Sequence, residues 1–268
     1  MESPGWRRPA CDGVLDLRQP LRHAVPLVVA SPHSGADYPG DFLAASRLDP
    51  LTLRRSEDSF VDAIFAAAPD LGAPLIAARF PRAYLDVNRE AWELDPAMFS
   101  DTLPTFVNTR SPRVRMGLGT IARVVASGEE IYSRKLRFAE ARRRVEGLYH
   151  PYHHALRRLV DETAAAFGGY LLLDCHSMPS AASAAGGSGG ADIVLGDCYG
   201  ASCAPRIVEA ARAFLAERNF AVALNAPYAG GFTTAHYGNP RRGRHALQIE
   251  INRAIYMDER SYARKPGF

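Results

Sequence analysis

Three short apolar runs constrain this chain most: "VPLVVASPHSG" (25–35), "GGYLLLDCHSMPS" (168–180) and "HALQIEIN" (245–252). Runs of this length, bounded by Gly and Pro, read as strands covered on both faces. Each meets reactive chemistry: His33 follows the first run, His176 ends the second, and Glu250 interrupts the third. In open α/β sheets ligands sit beyond the carboxyl ends of strands, so these side chains are candidates for a site.

Further strands are expected at 74–80 ("PLIAARF"), 83–88 ("AYLDVN"), 191–196 ("ADIVLG") and 221–227 ("AVALNAP"). Helical patterns lie between them, at Leu51 to Ala68, Ala201 to Arg218 and Ser133 to Phe167, the last divided by Pro151. Strands alternating with helices predict a mainly parallel sheet with helices on both faces. No internal repeat or linker divides the chain, so one domain, 1–268, is expected. The tract "SAASAAGGSGGAD" (180–192) reads as a mobile loop, and it has neither the lysine of a phosphate-cradling loop nor the dinucleotide fingerprint.

Composition removes several classes. A 47% hydrophobic content over 268 residues is ample for a core, while a net charge of +3, with dispersed arginines, argues against nucleic acid. No early apolar segment resembles a sorting signal and no window approaches a membrane span, which predicts a cytoplasmic protein without a membrane partner. Cys11, Cys175, Cys198 and Cys203 lack CxxC spacing and read as reduced thiols. Cys175 and His176 are adjacent on a strand and should face opposite ways, leaving Cys175 as a buried apolar residue.

Two histidines at strand ends, joined by a carboxylate from another element, are the materials of a catalytic zinc site. The carboxylate candidates are Glu57 and Asp58 in "RRSEDSFVDAIF", expected to begin a helix. Glu250 in an apolar strand must be paired, bound to a metal-activated water or raised in pKa. Either a general base or an ion pair with Arg253 or another arginine satisfies that. In "FPRAYLDVNREAW" (80–92), strand alternation would put Arg82, Asp86 and Asn88 on one side, with Arg89 at the exit. Arginines there can polarise a carbonyl or clamp a carboxylate, although an Arg82–Asp86 pair would explain the same residues.

The ordered segments "SPHSGADYP", "RAYLDVNR", "IYSRKL", "YHPYHHAL", "LLLDCHSMPS", "ADIVLGD", "NAPYAGGFTT" and "HALQIEINRAIYMDE" resemble those of N-formylglutamate amidohydrolases over nearly the full length. The resemblance implies a three-layer α/β/α fold with a central, mostly parallel mixed sheet, like that of zinc exopeptidases and aspartoacylases, and one catalytic zinc ion. It implies His33, His176 and Asp58 as metal ligands, with neighbouring Glu57 and Asp37, four residues after His33, as alternatives to Asp58. It implies Glu250 as general base, Arg82 facing the scissile carbonyl, Asn88 and Arg89 holding the substrate carboxylate, and Tyr228 on a substrate-side loop. The implied reaction is hydrolysis of a small N-formyl amino acid, N-formyl-L-glutamate above all, in histidine degradation. The competing readings are another N-acyl amino acid deacylase, a metallo-exopeptidase, and a metal-free small-molecule-binding protein.

Overall fold

The computed structural model describes residues 6–7, 13–185 and 190–268; Cys11 lies outside the described residues. Eight strands, β1 (Trp6–Arg7), β2 (Leu15–Pro20), β3 (Leu27–Ser31), β4 (Leu75–Ala78), β5 (Tyr170–Met178), β6 (Ile193–Gly196), β7 (Val222–Leu224) and β8 (Arg244–Asn252), form one sheet. Their order is β1-β2-β4-β3-β5-β8-β6-β7. The central β4-β3-β5-β8 pairs are parallel, β6 runs antiparallel to β8, and β2 antiparallel to β4. The sheet is therefore the mostly parallel mixed one expected.

The helices used below are α1 (Phe138–Arg144), α2 (His150–Phe167), α3 (Ser180–Ala185), α4 (Pro205–Ala216) and α5 (Phe232–Tyr237). Alternate strand residues face opposite layers. Val28, Ala30, Ile76, Leu172 and Ala246 pack with Tyr152, Leu156, Leu159 and Val160 of α2. That spacing is the apolar stripe of an amphipathic helix. Each fully buried side chain of the stripe contributes about 1.5–3 kcal/mol. On the other face Val29, Leu75, Ala77 and Cys175 pack with Val61 and Ala68, and Leu195 and Leu247 with Val208 of α4. Cys175 is fully buried, and burial pushes its thiol pKa up, as befits an inert core residue. Among the described residues no helix is long and apolar enough to cross a membrane.

Three local expectations fail, and a fourth holds with a shifted boundary. Residues 83–88 form turns, not a strand: Tyr84 and Leu85 N–H both reach Pro81 O, and the Asp86 side chain accepts Asn88 N–H, a local bond that competes with sheet pairing. The Leu51–Ala68 helix is broken. After Pro50–Leu53 and a 3-10 turn at Arg54–Ser56, the chain is non-helical through Glu57 and Asp58 and resumes for one turn at Val61–Ile64. Short polar side chains bond locally there, Ser59 Oγ donating to Glu57 Oε2 at 2.7 Å, and Asp58 N–H is drawn to His33 O at 3.0 Å. The tract after Met178 opens with helix α3 rather than a loop, and its residues 186–189 lie outside the described ones. The division by Pro151 arrives a turn early, as a π-helical turn at Val145–Tyr149 between α1 and α2. Proline lacks the N–H that residue 147's carbonyl would accept, and the widened turn accommodates it.

Candidate active site

β3, β5 and β8 bring their carboxyl-terminal halves together, and the site forms there. His33 lies two residues beyond β3. His176 and Glu250 are direct partners in the β5–β8 register. Gly35 allows the loop after β3 to fold back on β4: a Cβ at that position would collide with the Arg79 and Phe80 backbone.

His33, Asp58 and His176 are buried, with potential ligand atoms within 4.8 Å of one another. Asp58 Oδ2 is 2.9 Å from His176 Nδ1 and 3.4 Å from His33 Nδ1. The outer ring nitrogens are each engaged by a carboxylate: His33 Nε2 lies 2.7 Å from Asp86 Oδ1, and His176 Nε2 3.1 Å from Asp174 Oδ2. With those nitrogens donating, the Nδ1 lone pairs point at the shared space, the carboxylate–histidine arrangement typical of metal ligands. Asp58 is oriented in the same way. Its Oδ1 accepts from Arg253 Nη2 at 3.1 Å and Ser177 Oγ at 3.3 Å, leaving Oδ2 toward the histidines.

The alternatives for the third position are turned away. Glu57 accepts from Tyr38, Arg54 and Ser59. Asp37 is exposed and paired with Arg79. A metal fits the remaining set: His33 Nδ1 is buried without a hydrogen-bond partner, and two imidazoles with one carboxylate are the donors of catalytic zinc sites.

The two histidines of the trio line a cavity of about 410 Å³, whose lining also includes Arg82, Asn88, Arg89, Arg113, Tyr228, Gln248 and Glu250. All the expected site residues thus meet, Arg82, Asn88 and Arg89 from the turns after β4, Tyr228 from the loop after β7. Arg82 Nε donates to Asp86 Oδ2 at 3.0 Å, and its other nitrogens make no bond among the described residues. Arg89 is buried, its Nε on Leu118 O at 2.9 Å and its Nη1 on Asn88 O at 2.6 Å. Asn88 accepts from Thr233 N–H at 2.8 Å, while its amide nitrogen has only the 3.5 Å approach to Asp174 once His176 Nε2 carries a proton. A side chain at Gly231 would collide with that carboxamide, so only glycine lets the loop cover Asn88.

The family model that describes N-formylglutamate amidohydrolases matches residues 25–257. The chain belongs to that family. Such enzymes hydrolyse an amide bond, and Glu250, Arg82 and the two histidines of the metal-competent trio line one cavity of this chain. The amidohydrolase is 29% identical to N-formylglutamate deformylase of Pseudomonas putida, over 92% of this chain and 86% of the relative. It is 28% identical to the deformylase of Pseudomonas aeruginosa, over 93% and 88% of the two chains. The crystal structure of N-formylglutamate amidohydrolase from Ralstonia eutropha JMP134 superposes with a TM-score of 0.89 at 40% identity, covering 95% of this chain and 91% of that one. A gene product of Agrobacterium tumefaciens shares the fold at 19% identity and a TM-score of 0.64.

Electrostatics differentiate the two central acids of the amidohydrolase. Burial opposes ionisation of Asp58, yet the two adjacent histidines, His176 foremost, hold its pKa well below the carboxylate range. Glu250 is pushed up to about 7, chiefly by burial, with repulsion from Asp58 set against the attraction of His176 and Arg82. Among the described residues its side chain accepts a hydrogen bond from the amide of Gln248, at 2.9 Å, and Arg253 bonds Asp58, Ser177 and backbone carbonyls instead. The expected alternative, a Glu250–Arg253 bridge, is therefore not the arrangement. Burial also opposes charge on His176, but Asp174 and Asp58 outweigh it and raise its pKa. A cation at Nδ1 would take that proton's place, so metal binding should release it.

Several functional residues escaped the sequence reading. Asp174 had a signal: it precedes His176 by two residues and so shares its strand face. Arg253 and Ser177 as anchors of Asp58 had none, because Asp58 is distant from them in sequence, and nor had Arg113, which only the fold brings to the cavity wall.

Proposed function

We propose that this chain is a zinc-dependent deformylase that hydrolyses N-formyl-L-glutamate to formate and L-glutamate, a step of histidine degradation. The observation that carries the reading is the His33–Asp58–His176 group, whose two histidines line a cavity shared with Glu250 and Arg82. The Pseudomonas relatives are named for this reaction. A zinc ion held by the trio would supply Lewis acidity and lower the pKa of an attacking water.

The remaining steps belong to the chain's own residues. Glu250, poised near neutrality, accepts a proton as the water oxygen attacks the formyl carbon. Arg82, fixed through Nε by Asp86, directs its free nitrogens at the developing oxyanion. Glu250 then returns the proton to the departing nitrogen as the C–N bond breaks, leaving formate and the free amine. Arg89 and the amide nitrogen of Asn88 hold the α-carboxylate, and the Tyr228 hydroxyl, which burial keeps protonated, donates from the covering loop.

The test is formate release from N-formyl-L-glutamate by the purified protein, before and after chelation and after zinc is restored. Release that stops on chelation and returns with zinc supports the reading. Absence of formate from the zinc-loaded protein overturns the substrate, and undiminished release from protein verified as metal-free overturns the zinc.

A further inference from the structure

The arginines of the cavity are not equivalent. Arg55 is paired with Glu129 at 2.6 Å, Arg82 with Asp86 at 3.0 Å, Arg253 with Asp58 at 3.1 Å, and Arg89 is bound to two backbone carbonyls and lies 3.5 Å from Asp86. Arg113 lines the same cavity, yet its guanidinium has no hydrogen-bond or ion-pair partner among the described residues. It stands on a one-turn helix, Pro112–Arg115, held at its start by Ser111, whose Oγ accepts Val114 N–H at 3.1 Å. The same segment supplies Leu118 O to Arg89, so the two arginines belong to one wall. They also feel one another. Burial is the main cause of the lowered pKa of Arg89, and the positive charge of Arg113 adds to it.

Two cations on one wall, one of them unpartnered, are mutually unfavourable until anionic charge arrives. A single carboxylate would satisfy Arg89. We propose that Arg113 is a specificity residue that binds a second carboxylate, on the substrate side chain, so that the cavity selects N-formyl amino acids with acidic side chains over neutral ones of equal size. This rests on the reading of the enzyme as an N-formyl amino acid hydrolase and names the residue that sets its substrate class. The planar fork of arginine suits a bidentate carboxylate contact, and the exposed position at the cavity's rim suits the distal end of a substrate whose formyl group lies deep beside Glu250.

The test compares kcat/KM for N-formyl-L-glutamate and N-formyl-L-glutamine, which differ in charge and hardly in size, in the zinc-loaded wild type, Arg113→Gln and Arg113→Lys. The ratio of the two values should fall about 10- to 100-fold in Arg113→Gln, the range for losing a charge-assisted hydrogen bond, through KM for the acidic substrate. Arg113→Lys should recover part of it. An unchanged ratio in Arg113→Gln overturns the proposal, as does an equal loss on both substrates, which would mark a structural role. If the wild type hydrolyses neither compound, the proposed function fails. Calorimetry of L-glutamate and L-glutamine binding then still decides Arg113: a preference for glutamate that Arg113→Gln abolishes supports it, and a preference that survives overturns it.

Discussion

The protein holds histidines in two kinds of surroundings, one rich in carboxylates and one in aromatic rings, and these push His176 and His153 in opposite directions. His33 and His176 sit among Asp58, Asp86 and Asp174. His153 of α2 sits among the rings of Tyr149, Phe232 and Tyr237, between Val87 O at 2.8 Å and the Tyr237 hydroxyl at 2.9 Å. Carboxylates raise the pKa of His176 against burial. Where burial outweighs every opposing effect, it takes His153 down to about 4. Residue type is the same; the neighbours decide whether the ring is ready to exchange a proton for a cation or is a neutral strut. In His153 the strut carries Val87, the residue before Asn88, so the second set positions the wall of the first.

The largest expected effect separates the two sets directly. His176→Ala should remain folded but lose bound zinc and reduce formate release to background, whereas His153→Ala should keep one zinc per chain while its thermal midpoint falls. Metal analysis and melting of both variants check this, and zinc retained in His176→Ala would erase the distinction. Next comes the acid opposite His176. Glu250→Gln should lower kcat by about two to four orders of magnitude with zinc content and melting temperature kept, because the amide holds the hydrogen bond but cannot carry the proton. A smaller effect tests whether the outer carboxylates make the difference. Asp174→Asn should weaken zinc binding about 10- to 100-fold, measured by competition with a chelator.

The smallest effect appears in acid. Because the folded pKa of His153 is near 4 and its ordinary value is 6.5, the unfolded chain binds a proton that the folded chain refuses between those values. The stability is present above about pH 6.5 and is lost as pH falls toward 4, by up to about 1.4 kcal/mol per unit. Urea unfolding at pH 7 and pH 5 should therefore show a larger drop for the wild type than for His153→Gln. Equal drops would mean that the aromatic set is titrating like a surface histidine.

Legibility followed the range of the forces involved. The apolar runs at 25–31 and 170–173, and the stripe of α2, could be read because burial on a strand or one helix face is a local pattern. Arg82, Asp86 and Asn88 were grouped correctly from a strand that does not exist. Turns held by Pro81 O and the Asp86 side chain gather them, and Thr120 O fixes Asp86 N–H from a segment far along the chain.

The choice among Asp58, Glu57 and Asp37 marks the boundary most sharply. Sequence by itself determined that histidines and an acid would stand at the carboxyl edge of a parallel sheet, since strand length, polarity and punctuation are properties of neighbouring residues. Which acid faces them was decided only in three dimensions. Arg253 and Ser177 hold Asp58 toward the histidines, Tyr38 and Arg54 draw Glu57 away, and Arg79 keeps Asp37 at the surface. Those hydrogen bonds and ion pairs act over about 3 Å and join segments up to 195 residues apart, so their partners exist only once the chain has folded.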